Sequence, residues 1–331
     1  MIIVQTPLRI SFVGGGTDFK NYWSKYGGAV ISTAIDKFMY IIVKQRFDDE
    51  IYINYSRKEQ VKQISEIQHG LIREAMRKAG VENGVEITTL ADVPSEGSGL
   101  GSSSSLTVGL LHAFYTYQGF LVTAEQLARE ACEIEIEILG APIGIQDQYI
   151  AAYGGLRCFQ FRRDGSVDVE NINLTEAEGR QLGSNMHLFY LNRTRKANDV
   201  LCEQNARISD NKVILDSLHA MVNPFKQVLI NRNFDEIGLM LDKAWEEKKK
   251  LAQNITNPEI EAHYQAAKDA GALGGKVAGA GGGGFLMLYC QRDKQNSLFQ
   301  RMKELKLKEL PFHLERYGSR VVYNQKNYDW R

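Results

Sequence analysis

The chain has 331 residues, enough for about two domains, and its 44% hydrophobic and 24% charged content is that of an ordinary globular protein. Lysine plus arginine equals aspartate plus glutamate at 40 each, which argues against a nucleic acid or an anionic membrane as the main partner. The four cysteines fit neither a metal knuckle nor a CxxC pair, no apolar run approaches a membrane span, and the Met1-Ile-Ile-Val start lacks a basic leader, so a cytoplasmic protein is expected.

In chain order, residues 8–13 alternate like a strand that ends at Gly14-Gly15-Gly16. Residues 29–35 and 38–46 read as two more strands, followed by 51–55. From Glu59 to Ala79 apolar residues recur at helical spacing, and Gly80 stops the run. Residues 85–90 form a strand. The stretch Pro94-Ser-Glu-Gly-Ser-Gly-Leu-Gly-Ser-Ser-Ser-Ser105 then leads into a helix reaching about Tyr117. Thr123 and Gln126 form a capping-box pattern that opens a helix to Leu139. Residues 155–161 and 186–191 look like strands. Three long helical patterns follow, at 196–221, 234–252 and 258–270. The chain closes with a glycine-rich loop, a strand at 285–290, a helix over 293–306 and a strand near 313–323. Strands and helices interleave without a regular βαβ repeat, which predicts an α+β fold of two closely packed domains, 1–184 and 185–331.

Four constellations carry chemical information. The first is the glycine–serine loop ahead of a helix. A helix start offers unpaired N–H groups and a positive dipole end, glycines let backbone approach a ligand closely, and serines add hydroxyl donors. One cap needs one serine, not four behind three alternating glycines, so the pattern favours phosphate. The second is the helix 124–139, where Glu135 falls in the middle of a stripe made by Ala124, Ala128, Ala131, Cys132, Ile138 and Leu139. A carboxylate there meets a cation, shifts its pKa, or serves as a magnesium ligand beside the phosphate site. The third is Asp147, in a turn after that helix among apolar neighbours; a lone turn aspartate usually bonds local backbone. The fourth is Gly274-Gly-Lys-Val-Ala-Gly-Ala-Gly-Gly-Gly-Gly-Phe285. It matches GxGxxG formally, but a strand follows it, and Ala270 and Val277 break a Walker A pattern, so both common nucleotide motifs are rejected. Arg193, Arg195 and Lys196 form a basic cluster at an expected helix start, where cations oppose the dipole and hint at an anionic partner.

Together these segments resemble the GHMP small-molecule kinases. Pro7-Leu-Arg-Ile-Ser-Phe-Val-Gly-Gly-Gly-Thr-Asp18 looks like the first family motif, Pro94–Ser105 like the second, and Lys276–Phe285 like the third, in family order. The second motif departs from its commonest form by Glu96 and one extra residue. Within the family, Gly-Gly-Gly-Thr-Asp-Phe, Gly-Leu-Gly-Ser-Ser-Ser-Ser and Gly-Ile-Gln-Asp-Gln look most like the sugar 1-kinases.

The resemblance implies a ribosomal-protein-like N-terminal α/β domain, a ferredoxin-like C-terminal domain and a site between them. It implies ATP and Mg²⁺, with Gly97, Gly99, Gly101, Ser102, Ser103 and Ser104 around the ATP phosphates, and Gly281 and Gly282 backing them. Ser103 and Glu135 match the metal positions, Asp147 the catalytic aspartate and Arg9 its partner. Asp18, with Gly16 and Thr17, matches a sugar-hydroxyl site, and Arg193, Arg195 and Lys196 are expected to grip a phosphate on the far end of the sugar. The expected reaction is γ-phosphoryl transfer to the anomeric hydroxyl of D-glycero-D-manno-heptose 7-phosphate, by a monomer or homodimer. Two alternatives stay open: a kinase of a free sugar such as L-fucose, and a kinase-derived sensor that binds ATP and sugar without turnover.

Overall fold

The structure is a computed structural model that describes residues 1–94, 97–193 and 197–325. The first part runs β1 (Ile2–Val13), α1 (Lys20–Tyr26), β2 (Gly28–Gln45), β3 (Ile51–Asn54), β4 (Lys58–Val61), α2 (Gly70–Ala79), β5 (Val85–Ala91), α3 (Ser102–Gln118), α4 (Ala124–Cys132), α5 (Gln146–Tyr153), β6 (Leu156–Phe161), β7 (Val167–Asn171) and α6 (Glu176–Ser184). The second runs β8 (Met186–Tyr190), α7 (Ala197–Ala206), α8 (Lys212–Ala220), α9 (Val222–Ile230), α10 (Phe234–Lys248), α11 (Pro258–Asp269), β9 (Ala272–Val277), β10 (Phe285–Cys290), α12 (Gln295–Glu304), β11 (Lys308–Glu309) and β12 (Arg320–Asn324).

Two sheets organise these elements. The first has the order β12-β1-β2-β5-β3-β4, with β6 added to the opening half of β2 and β7 to β6. The second is β11-β8-β10-β9. The α+β class is as expected. The expected boundary at 184/185 falls between α6 and β8, but the span 185–331 gives part of its end back: β12 pairs with β1, from Ile2 opposite Asn324 to Gln5 opposite Arg320.

The two strands read at 29–35 and 38–46 are one strand, β2. Its register against β1 slips where Leu8 faces Ile35 and Pro7 faces Phe38, leaving Asp36 and Lys37 as extra residues. Proline cannot donate to the ladder, and a bulge there is the usual accommodation. Side chains alternate between faces with period two, so an irregularity can exchange the faces. On β2, Val30 and Ala34 before it and Met39, Ile41 and Val43 after it share one core with α3 and α4. On β1, Ile2 and Val4 join that core, whereas Leu8, Ile10 and Phe12 face the second domain, where Phe12 packs on Phe225 with ring centroids 5.5 Å apart. Arg9 thereby lands beneath the N-terminus of α3, its Cγ 3.1 Å from where a Cβ on Gly101 would stand.

Other boundaries differ in ways that sequence periodicity does not resolve. The helical reading of 59–79 holds only for α2; β4 occupies 58–61. The 196–221 pattern is two helices, and α1, α5, α6, α9 and β7 arise where no regular element is expected. Among the described residues no helix is long and apolar enough to cross a membrane.

Candidate active site

The glycine–serine loop needs backbone that only glycine adopts cheaply. Gly97, Gly99 and Gly101 have φ of 71°, 74° and 81°. The last of them caps α3, so the N–H groups of Ser102, Ser103 and Ser104 are the first of the helix and have no intrahelical acceptor. Of the four serines only Ser103 is exposed. Ser102 Oγ lies 3.1 Å from Ser98 Oγ, and Ser105 Oγ donates to the Pro7 carbonyl at 2.7 Å. Ser95 and Glu96 lie outside the described residues.

The second domain backs this loop through glycines at backbone contact. A Cβ on Gly99 would stand 2.5 Å from the Ala278 carbonyl oxygen, one on Gly279 2.7 Å from Gly99 Cα, and one on Gly284 2.5 Å from the Ser98 carbonyl oxygen. The expected backing residues Gly281 and Gly282 sit elsewhere. A Cβ on Gly281 would meet Ile255, and the Gly282 N–H already donates to the Ile255 carbonyl at 2.7 Å. That amide is spent; Gly279 and Gly284 are the glycines that touch the loop from the second domain.

Glu135 is buried, at 1% exposure, as its place in the apolar stripe requires. The helix carrying it relaxes into a π-turn over Glu133–Ile138. That change of pitch rotates Ile138 and Leu139 off the stripe, leaving them 49% and 36% exposed. Ser103 Oγ donates to Glu135 Oε1 at 2.5 Å, and Gln148 Nε2 to Oε2 at 2.5 Å. Burial raises the Glu135 pKa; the hydrogen bonds pull it back, and the charge of Asp147 adds to the rise. Among the described residues no lysine or arginine nitrogen lies within ion-pairing distance of it. A buried carboxylate without a cation, touching an exposed hydroxyl beside a phosphate-type loop, is a fitting oxygen donor set for Mg²⁺.

Asp147 stands in the first turn of α5, where the helix dipole favours a carboxylate. Arg9 grips it through both oxygens: Nε to Oδ1 at 2.7 Å and Nη2 to Oδ2 at 2.6 Å. The remaining Arg9 nitrogen, Nη1, donates to the Gly99 carbonyl at 2.5 Å, and the Arg9 N–H donates to the Leu100 carbonyl at 2.9 Å. Carboxylate, strand and phosphate loop are thus one rigid unit. Asp147 keeps 22% of its side chain exposed, toward a cleft between the domains.

The same cleft holds Asp18 and Gly16. Asp18 accepts the Gly16 N–H at 2.9 Å and Gln146 Nε2 at 3.0 Å. Burial raises its pKa; the Gly16 N–H and Gln146 hold the rise back, and Asp147 adds to it. Only glycine fits at 144, where a Cβ would lie 2.0 Å from Asp18 Oδ2. Two expected sugar contacts are elsewhere. Thr17 is fully buried, and its hydroxyl is tied to Gly14 and Ala29, so it builds the turn instead of facing the cleft. Arg193 does not line the cleft; its guanidinium lies 3.8 Å from Glu259, and its carbonyl accepts the Gly284 N–H. Arg195 and Lys196 lie outside the described residues.

Sequence reasoning did not single out Ser11, Gln146, Lys248 or Lys276, which also line the cleft. Ser11 Oγ and Gln146 Oε1 are buried atoms without a hydrogen-bond partner among the described residues. A larger groove of about 910 Å³ runs along β6, α6 and residues 312–317, and none of the expected site residues among the described ones lines it.

Two family models match this chain: GHMP kinases N terminal domain over residues 66–155 and GHMP kinases C terminal over 225–306. The chain is 31% identical over 321 residues, 92% of its length and 93% of the other's, to the D-glycero-alpha-D-manno-heptose 7-phosphate kinase of Campylobacter jejuni. The chain belongs to the GHMP kinases. It is accordingly an ATP-dependent sugar kinase. A solved D-glycero-D-manno-heptose 1-phosphate kinase from Bacteroides thetaiotaomicron superposes with a TM-score of 0.82 at 25% identity, over 98% of this chain and 100% of that one. Lactococcus lactis galactokinase shares the fold, with a TM-score of 0.75 at 17% identity, over 97% of this chain and 95% of that one. The L-fucokinase/L-fucose-1-P guanylyltransferase of Bacteroides fragilis is 26% identical across 87% of this chain, which spans 34% of that longer protein.

Proposed function

We propose that the chain transfers the γ-phosphoryl group of ATP to the anomeric hydroxyl of D-glycero-D-manno-heptose 7-phosphate. The product is heptose 1,7-bisphosphate, a precursor for nucleotide-heptose and surface polysaccharide synthesis. The observation that carries the reading is the Asp147 carboxylate, held at two points by Arg9 and open to a cleft that also contains Asp18. The C. jejuni relative supplies the substrate.

Phosphoryl transfer passes through a loose transition state, so positioning and charge neutralisation dominate. Asp18 and Gly16 would orient sugar hydroxyls, with Ser11 Oγ and Gln146 Oε1 as further partners. Asp147 takes the proton of the sugar O1 as O1 bonds to phosphorus and the bond from phosphorus to the departing ADP oxygen breaks. Arg9 fixes Asp147 and steadies developing charge. The N–H groups of Ser102, Ser103 and Ser104 face the ATP phosphates, with Gly97, Gly99 and Gly101 letting them approach. Ser103 and Glu135 would hold Mg²⁺, which when bound neutralises phosphate charge.

The test is ³¹P NMR of the protein with Mg-ATP and the heptose 7-phosphate, with L-fucose and galactose in parallel. A new anomeric phosphate signal with the heptose phosphate alone supports the proposal. A signal with a free sugar alone discards that substrate. L-fucose is the second reading, favoured by the B. fragilis relative.

A further inference from the structure

Two lysines enter the cleft from the second domain. Lys248 ends α10 and Lys276 lies on β9. They are 9% and 4% exposed. Lys276 Nζ donates to the Phe12 carbonyl at 2.9 Å, and Lys248 Nζ donates to the Gly279 carbonyl. An ammonium has three N–H donors, so each retains two without a protein acceptor among the described residues. Nor does either have a carboxylate within ion-pairing distance there.

The charge balance of the cleft is therefore uneven. Among the described residues Arg9, Lys248 and Lys276 line it with only Asp18 and Asp147, and Arg9 is committed to Asp147. Burial lowers the Lys248 pKa to about 8, helped by Arg9 and opposed by Asp18 and Asp147. Burial, Lys248 and Arg9 push Lys276 well below the usual lysine range, with Asp18 opposing. Packing alone does not call for two buried ammonium groups, since methionine fills such space without the desolvation cost. Gly279, which backs the glycine–serine loop, lines this cleft together with Gly16 and Asp18, whereas Gly97, Gly99, Ser102 and Ser103 do not, so the two amines stand between the loop's backing and the acceptor pocket.

We propose that Lys248 and Lys276 form the receiving site for a phosphate group carried by the sugar acceptor. The inference rests on the sugar-kinase reading of the cleft and deepens it: the pair selects a phosphorylated sugar over a free one. It also moves the far-end phosphate away from Arg193, which pairs with Glu259.

The test uses the full chain as wild type, Lys248→Met, Lys276→Met and the double variant. Isothermal titration measures inorganic phosphate, the heptose 7-phosphate, the free heptose and a non-hydrolysable ATP analogue. Each lysine variant is expected to weaken phosphate and sugar-phosphate binding about tenfold or more. Free-heptose and ATP-analogue affinities should hold. Wild type should also take up a proton from buffer on binding phosphate, and the double variant should not, because an anion restores the protonated lysines. The methionine variants should melt at or above the wild-type temperature without ligand; glutamine replacements, which keep a donor for Phe12 or Gly279, serve where methionine fails to fold. Unchanged phosphate affinity in the double variant overturns the proposal. So does a parallel loss of ATP-analogue affinity. Phosphate titration needs no turnover, so it decides the lysine site even if no sugar is phosphorylated in the NMR test.

Discussion

Replacing Glu135 with glutamine separates what the carboxylate does for folding from what it does for catalysis. Glu135 is buried, its oxygens accept from Ser103 and Gln148, and among the described residues no cation pairs with it. Glutamine keeps the shape. It also keeps the hydrogen bonds, because Gln148 Oε1 is buried and unpartnered and can accept from the new amide once the Gln148 amide turns over. Desolvating a carboxylate costs several kcal/mol. Two charge-assisted bonds return roughly 1.5–3 kcal/mol each and two neutral ones about 1 kcal/mol each. With desolvation at about 4–5 kcal/mol the charge leaves a net cost of about 1–2 kcal/mol, and in a chain of 331 residues Glu135→Gln should raise the melting temperature of the metal-free protein by about 1.5–3 °C.

The sign is checked by pH. Because burial raises the Glu135 pKa, the native state holds a proton that the unfolded chain has released. Wild-type stability then falls as pH climbs from the ordinary carboxylate range through the raised value, and the variant lacks this slope. Turnover with Mg-ATP should fall by about 10²-fold or more, and the stabilisation of the wild type by Mg²⁺ with an ATP analogue should be lost. Differential scanning fluorimetry with EDTA or Mg²⁺, beside a coupled ADP-release assay, measures both. A variant that melts lower without metal yet keeps metal-dependent turnover refutes the reasoning.

Three further outcomes follow from the same geometry. Asp147→Asn should lower kcat by roughly 10²–10⁴-fold while ATP-analogue binding, read by titration, stays intact. Arg9→Lys replaces a two-point grip with a single ammonium, so kcat should fall about tenfold or more while the fold, followed by circular dichroism, survives. Gly99→Ala puts a side chain at φ 74°, costing about 1–2 kcal/mol, and overlaps the Ala278 carbonyl as well, so chemical denaturation should show at least that loss together with a raised KM for ATP.

What the sequence made legible is local. Three alternating glycines and a serine block announce unusual backbone before a helix, and the φ values at 97, 99 and 101 are its realisation. A glutamate on an apolar stripe announces burial, and Glu135 is buried even though the π-turn carries Ile138 and Leu139 off that stripe. What stayed hidden depends on the other domain. Lys248 sits in the run Glu246-Glu247-Lys248-Lys249-Lys250, which reads as a solvated face until α10 docks against β9 and the cleft. Lys276 follows two glycines that read as a loop. Both lie in β9, and a Cβ at Gly274 would stand 2.1 Å from the Gly238 carbonyl oxygen, so the smallness of Gly274 is the condition for α10 to approach.

Arg9 makes the same point through the sheet. Simple alternation along β1 would continue Ile2, Val4, Thr6 into Leu8 and Ile10 on one face, and would place Arg9 on the opposite face from the core under α3. The faces exchange at the irregularity between Pro7 and Leu8, so Leu8 and Ile10 become the floor of the second domain and Arg9 meets Gly99, Gly101 and Asp147. The broken strand pattern at 29–46 and the position of the cation that holds Asp147 thus meet at one irregularity beside Pro7. Had the alternation of Ile2, Val4 and Thr6 continued, Leu8 and Ile10 would face the site in place of Arg9. The strand's irregularity, more than its composition, is what delivers the charge.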